Sequence, residues 1–299
     1  PNSGKARLLF GRQGHSWIRG SLGQAEAMRS VRHLAGTLLA LSKSDPEGLS
    51  TSAARLSTEK ISLKYQKQVG EIWAQAANEV SYLISTIVEN NPKKTPAQVM
   101  ARPDVKLAIK ELYQKAATQA EDLLTAAWDE SAENTRKKVL SELKEAGIDT
   151  SSGGPLPSPD RSVLAMLIKD IHTNADTAAQ TYGDYLEKDY SKESIAKASS
   201  SMVRRATYST QGSAWNAASS MRMALFSFFG IHKRWVAKLD DRTCSSCRWL
   251  DGQAIPAYGE FPHPKGVKIY GPKLLAPPLH PHCRCVLVPS FSKKSKKSA

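Results

Sequence analysis

Apolar positions recur every three or four residues along most of the chain, the period of helices with one buried face. Over 59–88, Ile61, Tyr65, Val69, Ile72, Ala76, Val80, Leu83 and Ile87 form one stripe, widened by Trp73 and stopped at Asn90, Asn91 and Pro92. Thr95, Pro96 and Gln98 stand as N-cap, N1 and N3 of the next helix, a capping box that satisfies its first free amides. Pro103 opens a new first turn. Val105, Ile109, Leu112, Ala116, Ala120, Leu123, Ala127, Trp128, Val139 and Leu143 then mark a long helix that closes at Gly147, a residue suited to the left-handed C′ position. Ser158 and Pro159 are read as capping a further helix with Val163, Leu167, Ile171, Ala175, Ala178, Tyr182 and Tyr185 on one face. A last tract, about 192–229, carries Ala-Ser-Ser runs that permit close helix approach and ends on Phe226, Phe228, Phe229 and Gly230. Met28, Val31, Ala35, Leu38 and Leu39 suggest one more helix within 24–41, and the Pro, Gly and Ser of 42–58 and 151–159 read as linkers. No period of 20–50 residues repeats, so no solenoid is expected.

After Gly230 the pattern changes. Residues 234–239 alternate as a strand with Trp235, Ala237 and Leu239 on one side. Asp240, Asp241 and Arg242 turn the chain into Cys244 and Cys247, Asp251-Gly252 turns it again, and 253–256 read as a short return strand. A Pro- and Gly-rich loop follows, and Val286, Leu287 and Val288 close the segment as a strand. The fold class expected is therefore mainly α: an elongated helical body with a small C-terminal α+β module stapled by zinc. The divisions expected are a basic arm with one helix (1–57), a long-helix region (58–150), a linker (151–159), a helical region (160–230), the zinc-knuckle module (231–290) and a basic tail (291–299).

All four cysteines lie in this module. Cys244 and Cys247 form a C-x2-C pair, and thiolates and imidazoles gathered from two separated turns are what a tetrahedral structural Zn2+ site needs. His280 and Cys283 repeat the two-residue gap and are the first choice for the second pair. Cys285 competes, because i and i+2 of an extended segment point the same way. The fourth ligand is left open between Cys283 and Cys285, and His282 and His263 rank lower. A redox role for C-x2-C needs a thioredoxin-like βαβ context that the pattern lacks. A catalytic zinc could take Asp240, Asp241, His263 or His282 as a base, but neither H-E-x-x-H nor a deaminase signature occurs. His33 and His172 read as surface and rim residues.

Charge changes the picture at the two ends. The net charge is +14 over 299 residues. Residues 1–45 carry 7 Lys/Arg against 2 Asp/Glu and residues 230–299 carry 13 against 4, while the middle is balanced. Basic ends predict a polyanion nearby, with Arg7, Arg12, Arg19, Lys293, Lys294, Lys296 and Lys297 as the contacts to DNA or an acidic lumen. No apolar run reaches the ~18 residues of a membrane span, and the first residues lack a signal peptide, so no membrane anchor and a reducing compartment are expected. Pro1 fits removal of an initiator Met.

The string WVAKLDDRTCSSCRWLDGQ, followed after the Pro-rich loop by PPLHPHCRC, resembles the C-terminal signature of the phage Mu F-like minor head proteins, in the head-morphogenesis family of tailed bacteriophages. The helix before it, RRATYSTQGSAWNAASSMRMALFSFFGI, is similar in its polar-then-apolar run; the resemblance covers about 195–290. It implies a minor capsid protein of the virion head near the portal vertex, assembled in host cytoplasm. Its partners would be the portal protein, the major capsid or scaffold protein and, non-specifically, packaged DNA, with a role in head assembly and DNA packaging or ejection. Some relatives carry an enzymatic domain after this module; here the chain ends fourteen residues past Cys285, and the expectation is a protein that is not an enzyme. The alternatives are a zinc-dependent hydrolase or nuclease, and a cellular zinc-containing DNA-binding protein.

Overall fold

The computed structural model describes residues 46–151, 154–187, 191–266, 273–280 and 283–291. The basic residues at 7, 12, 19, 293, 294, 296 and 297, the helix expected within 24–41, His33 and His282 lie outside the described residues. Among those described, the chain forms seven helices and one small sheet. The helices are α1 (Pro46–Asn90), α2 (Pro96–Met100), α3 (Pro103–Glu145), α4 (Ser162–Asp176), α5 (Ala178–Leu186), α6 (Lys192–Phe228) and α7 (Ser245–Leu250). The strands are β1 (His232–Val236), β2 (Ala254–Ile255) and β3 (Val286–Ser290).

Local chemistry sets most boundaries. Thr95 Oγ1 accepts from the Gln98 amide at 3.3 Å and Gln98 Oε1 accepts from the Thr95 amide at 2.9 Å, completing the expected capping box. Gly147 takes φ 77°, the Ile148 amide reaches the Leu143 carbonyl at 2.9 Å and the Gly147 amide reaches Lys144 at 3.0 Å. That is a Schellman ending. Gly230 (φ 64°) ends α6 the same way, with Ile231 bonded to Phe226 at 2.8 Å. Ser191 caps the start of α6 by accepting from the Ser194 amide at 3.1 Å.

Three local expectations are corrected. Residues 46–58, read as linker, are the beginning of α1. Pro46 sits at the first helical position, where its missing N–H breaks nothing, and Ala53, Ala54 and Leu56 favour helix. The helix expected from Ser158 and Pro159 starts at Ser162, because Asp160 carboxylate oxygens take the Ser162 amide and hydroxyl at 2.9 and 3.1 Å. The continuous helix expected through Tyr185 breaks at Thr177. The Thr177 hydroxyl bonds back to the carbonyls of Thr173 and Asn174 at 3.0 and 3.2 Å, a competitor of the helical ladder.

The long helices pack through α3. Tyr65 donates to Glu130 at 2.8 Å and the Trp73 ring lies 5.1 Å from that of Tyr113, so α1 and α3 run antiparallel. Between α3 and α6 the small residues anticipated in α6 are the contact surface. The Ser213 hydroxyl donates to the Leu124 carbonyl at 2.7 Å, and the Ser131 hydroxyl donates to the Ala214 carbonyl at 2.7 Å. Helices meet this closely only where side chains are small. The α4–α5 pair lies on α3 and α6, and Tyr182 links Tyr113 (3.0 Å) to Ser199 (2.8 Å). His172, on α4, bridges Gln114 at 3.2 Å and Glu121 at 2.9 Å on α3, a structural cross-link.

The sheet order is β2-β1-β3, antiparallel throughout, with Trp235 opposite Leu287. One apolar core runs from Val69 on α1 through α3 and α6 to Trp235, Leu250, Phe261 and Leu287. The module is therefore not an isolated small body; it shares the helical core. Trp235 and Ala237 are buried as expected, but Leu239 is 62 % exposed. Strand β1 ends at Val236 and the chain turns away before Leu239 can complete the alternation.

The remaining inward position on β1 is Lys233, 0 % exposed. Its ammonium donates to the Leu275 carbonyl at 2.8 Å and lies 5.5 Å from the Phe261 ring centroid. Burial lowers its pKa to about 8. Between that value and the ~10.4 of an unfolded lysine, the unfolded chain binds the extra proton, so stability rises with pH across this window. Lys233→Met should thus be more stable than the parent by roughly 2–3 kcal/mol at pH 7, less a constant offset for the unpaired Leu275 carbonyl, with the gap closing by about pH 10. Urea midpoints of the two proteins at several pH values would check this; parallel curves would contradict it.

Candidate metal centre

The knuckle begins where β1 hands over to a tight turn. Asp240 accepts from the Arg242 amide at 3.0 Å, and the Asp240 amide donates to Thr243 Oγ1 at 2.9 Å. Thr243 Oγ1 also donates to the Lys238 carbonyl. Cys244 follows as the N-cap of α7: its Sγ accepts from the Cys247 amide at 3.3 Å. Such amide-to-sulfur bonds orient a thiolate and place Cys247 one turn on, on the same side. Asp251 and Gly252 (φ 78°) return the chain to β2, with Asp251 Oδ1 accepting from the Ala237 amide at 2.7 Å.

The second half arrives beside it. Residues 283–285 lead straight into β3, and β3 is registered on β1, so the position of the distal cysteines follows from sheet pairing. The Cys283 amide closes a turn on the His280 carbonyl at 3.1 Å. Arg284 then fastens the two halves: its two terminal nitrogens bind Asp240 at 2.6 and 2.5 Å. This fork holds the Asp240 carboxyl far below the usual carboxylate range. The Arg between the two cysteines thus grips the turn before the first pair.

Five of the candidate donors converge. His280 Nε2 lies 3.1 Å from Cys244 Sγ and 3.2 Å from Cys247 Sγ, and Cys247 Sγ lies 3.7 Å from Cys283 Sγ. Two triads result, each with donor atoms within 4.8 Å of one another: Cys244, Cys247 and His280, and Cys247, Cys283 and Cys285. Cys247 belongs to both. A tetrahedron with zinc-length bonds has S···S edges of about 3.8 Å and S···N edges of roughly 3.5 Å. The observed 3.7 Å matches the first, and the His280 distances fall slightly inside the second. The residues therefore fit a metal ion. His263, ranked lower from the sequence, pairs instead with Glu260 at 2.7 Å and belongs to neither triad.

Electrostatics agrees with that donor set. Cys247, Cys283 and Cys285 are all buried. Hydrogen bonds from Cys247 and Cys285 hold the Cys283 thiol well below its ordinary value, and the same bond to Cys283, with Cys285 and burial, pushes Cys247 up. Cys285 is helped by Cys247 but opposed by Cys283 and burial, and ends above the usual thiol. Three thiols in one dry space share a single easy ionisation; a cation in their midst would replace the remaining protons.

One contact was not visible in the sequence. Arg55, on α1, donates from Nη2 to the Val236 carbonyl at 3.0 Å, 181 positions away. Nothing local to Arg55 distinguishes it from the other basic residues of a helix.

Fold and donor set together define a mainly helical protein whose C-terminal portion is a three-stranded sheet around a cysteine–histidine cluster able to hold a metal ion. Residues 170–288, from within α4 to β3, match the family described as Phage Mu protein F like protein. That match takes in every one of the five converging donors and agrees with the family named by the resemblance of the C-terminal strings. No curated protein and no solved structure matches the chain. Among the described residues no helix is long and apolar enough to cross a membrane.

Proposed function

We propose that this chain is a minor head protein of a tailed bacteriophage that acts in head assembly at the portal vertex, with a structural zinc ion closing its C-terminal module. The observation that carries the reading is the family match over 170–288, which spans the helices that lead into the module and the whole cluster. Burial of Cys247, Cys283 and Cys285 supports zinc in a closed, structural site rather than one with an open position for substrate. The partners on this reading are portal, major capsid or scaffold subunits.

Packaged DNA is the further partner, contacted without sequence preference by the basic residues at 7, 12 and 19 and at 293, 294, 296 and 297. Removing residues 292–299 is expected to weaken binding to duplex DNA mainly at low salt. The slope of log affinity against log salt should become shallower by up to about 3–4, since each lost phosphate contact removes roughly 0.9. An unchanged slope would exclude the tail as a DNA contact. The assembly role is tested by mass spectrometry of purified heads and by deleting the gene. Chain present in heads, and heads that fail to mature without it, is the expected result; a chain absent from heads overturns the reading.

A further inference from the structure

Two buried donors beside the cluster have no hydrogen-bond partner: Arg55 Nε and Trp235 Nε1. Trp235 is fully buried on the central strand, opposite Leu287, so its ring stands on the sheet face that Cys285, two residues before Leu287, also approaches. Arg55 is buried enough for desolvation to lower its pKa, and Cys285 is the foremost of the groups that oppose this, ahead of Asp251. Arg55 is anchored on the Val236 carbonyl and Val236 pairs with Val286, so both orphaned N–H groups lie beside the chain that leads from Cys285 into β3. A neutral thiol is a poor acceptor and leaves them unsatisfied. A metal-bound thiolate carries charge outward from the metal and is the acceptor that such donors need.

We propose that Arg55 and Trp235 are positioning residues of the metal centre, holding Cys285 as a bound thiolate, and that metal loading thereby fastens the start of α1 to the module. This rests on the metal reading above. On this proposal Cys285, one of the two ligands left open by the sequence, belongs to the inner set. The centre with three or more thiolates is anionic, and the Arg55 guanidinium balances it from a helix that the chain made some 180 positions earlier. Arg284 adds positive charge near the Cys285 sulfur, but its two terminal nitrogens are held by Asp240.

The test uses the full chain loaded with Co2+, whose thiolate charge-transfer bands report sulfur ligation, and a competing chelator. Arg55→Met should weaken metal binding by about 10–100-fold, the usual effect of losing an outer partner, and Arg55→Lys should restore part of it. Trp235→Phe should shift the charge-transfer bands. Asn134→Ala, which removes the bond from Asn134 to Ser57 on the same stretch of α1, should leave affinity near the parent value. In a Cys285→Ser background, Arg55→Met should have no further effect. Parent-like affinity of Arg55→Met overturns the inference, as does an equal loss in Asn134→Ala or an Arg55 effect that survives Cys285→Ser. A parent chain that binds no Co2+ overturns instead the metal reading beneath it.

Discussion

Cys247→Ser should lose the metal more completely than any other single ligand change. Cys247 is the one donor common to both triads, 3.2 Å from His280 and 3.7 Å from Cys283, and its amide also orients Cys244. Serine keeps the shape but offers a hard, protonated oxygen where a soft thiolate is needed. Structural zinc contributes about 10–16 kcal/mol of apparent binding energy to small domains, so losing the shared ligand should reduce affinity by at least ~100-fold. Cys244→Ser and Cys285→Ser each spare one triad and should cost less. Chelator competition and metal content by mass spectrometry order the three variants. A Cys247→Ser protein that binds as tightly as the parent would remove the shared-vertex geometry from consideration. Far-ultraviolet circular dichroism should change little, because most helical residues lie in α1, α3 and α6.

Trp235→Ala is the second large effect, and its origin is packing. The ring is fully buried, meets Phe261 edge-on at 5.2 Å and belongs to the core shared by sheet and helices. The backbone of the same residue bonds Gln253 and Gly252 at 2.9 and 2.8 Å, so the cavity would open where three strands meet. Large-to-small changes of this kind destabilise by about 3–5 kcal/mol. Because the core is continuous, the loss should appear as a lowered midpoint for the helical signal too, not as separate melting of a C-terminal piece. Two resolved transitions, with the helical one unmoved, would show that the module is energetically separate.

What the sequence made legible was whatever chemistry is local. Thr95 with Gln98, Gly147 and Gly230 announce their helix ends because a cap involves only neighbours within a turn. The same holds for the knuckle, since C-x2-C and the gap from His280 to Cys283 are set by short stretches of backbone. The break at Thr177 was missed because a hydroxyl that bonds back to its own helix leaves the apolar period undisturbed. Lys233 was missed for the opposite reason: a lysine in an inward slot looks like a polar residue until Leu275 arrives to satisfy it. Leu239 continued the alternation on paper, yet the strand had ended three residues earlier. Arg55 and the Arg284–Asp240 fork depend on which segments meet, and no spacing along the chain encodes that.

The paired hydroxyl bonds between α3 and α6 carry a mechanical meaning. Ser213 reaches into the backbone of α3 and Ser131 reaches into that of α6, so the helices are keyed in both directions. Sliding one past the other by a single residue, ~1.5 Å, would break both keys at once and leave buried hydroxyls unanswered. Helices joined through ordinary apolar ridges can creep; these two cannot. They act as a single strut, and a push delivered to the sheet at the end of α6 meets the resistance of both keys before it can shift α6 along α3.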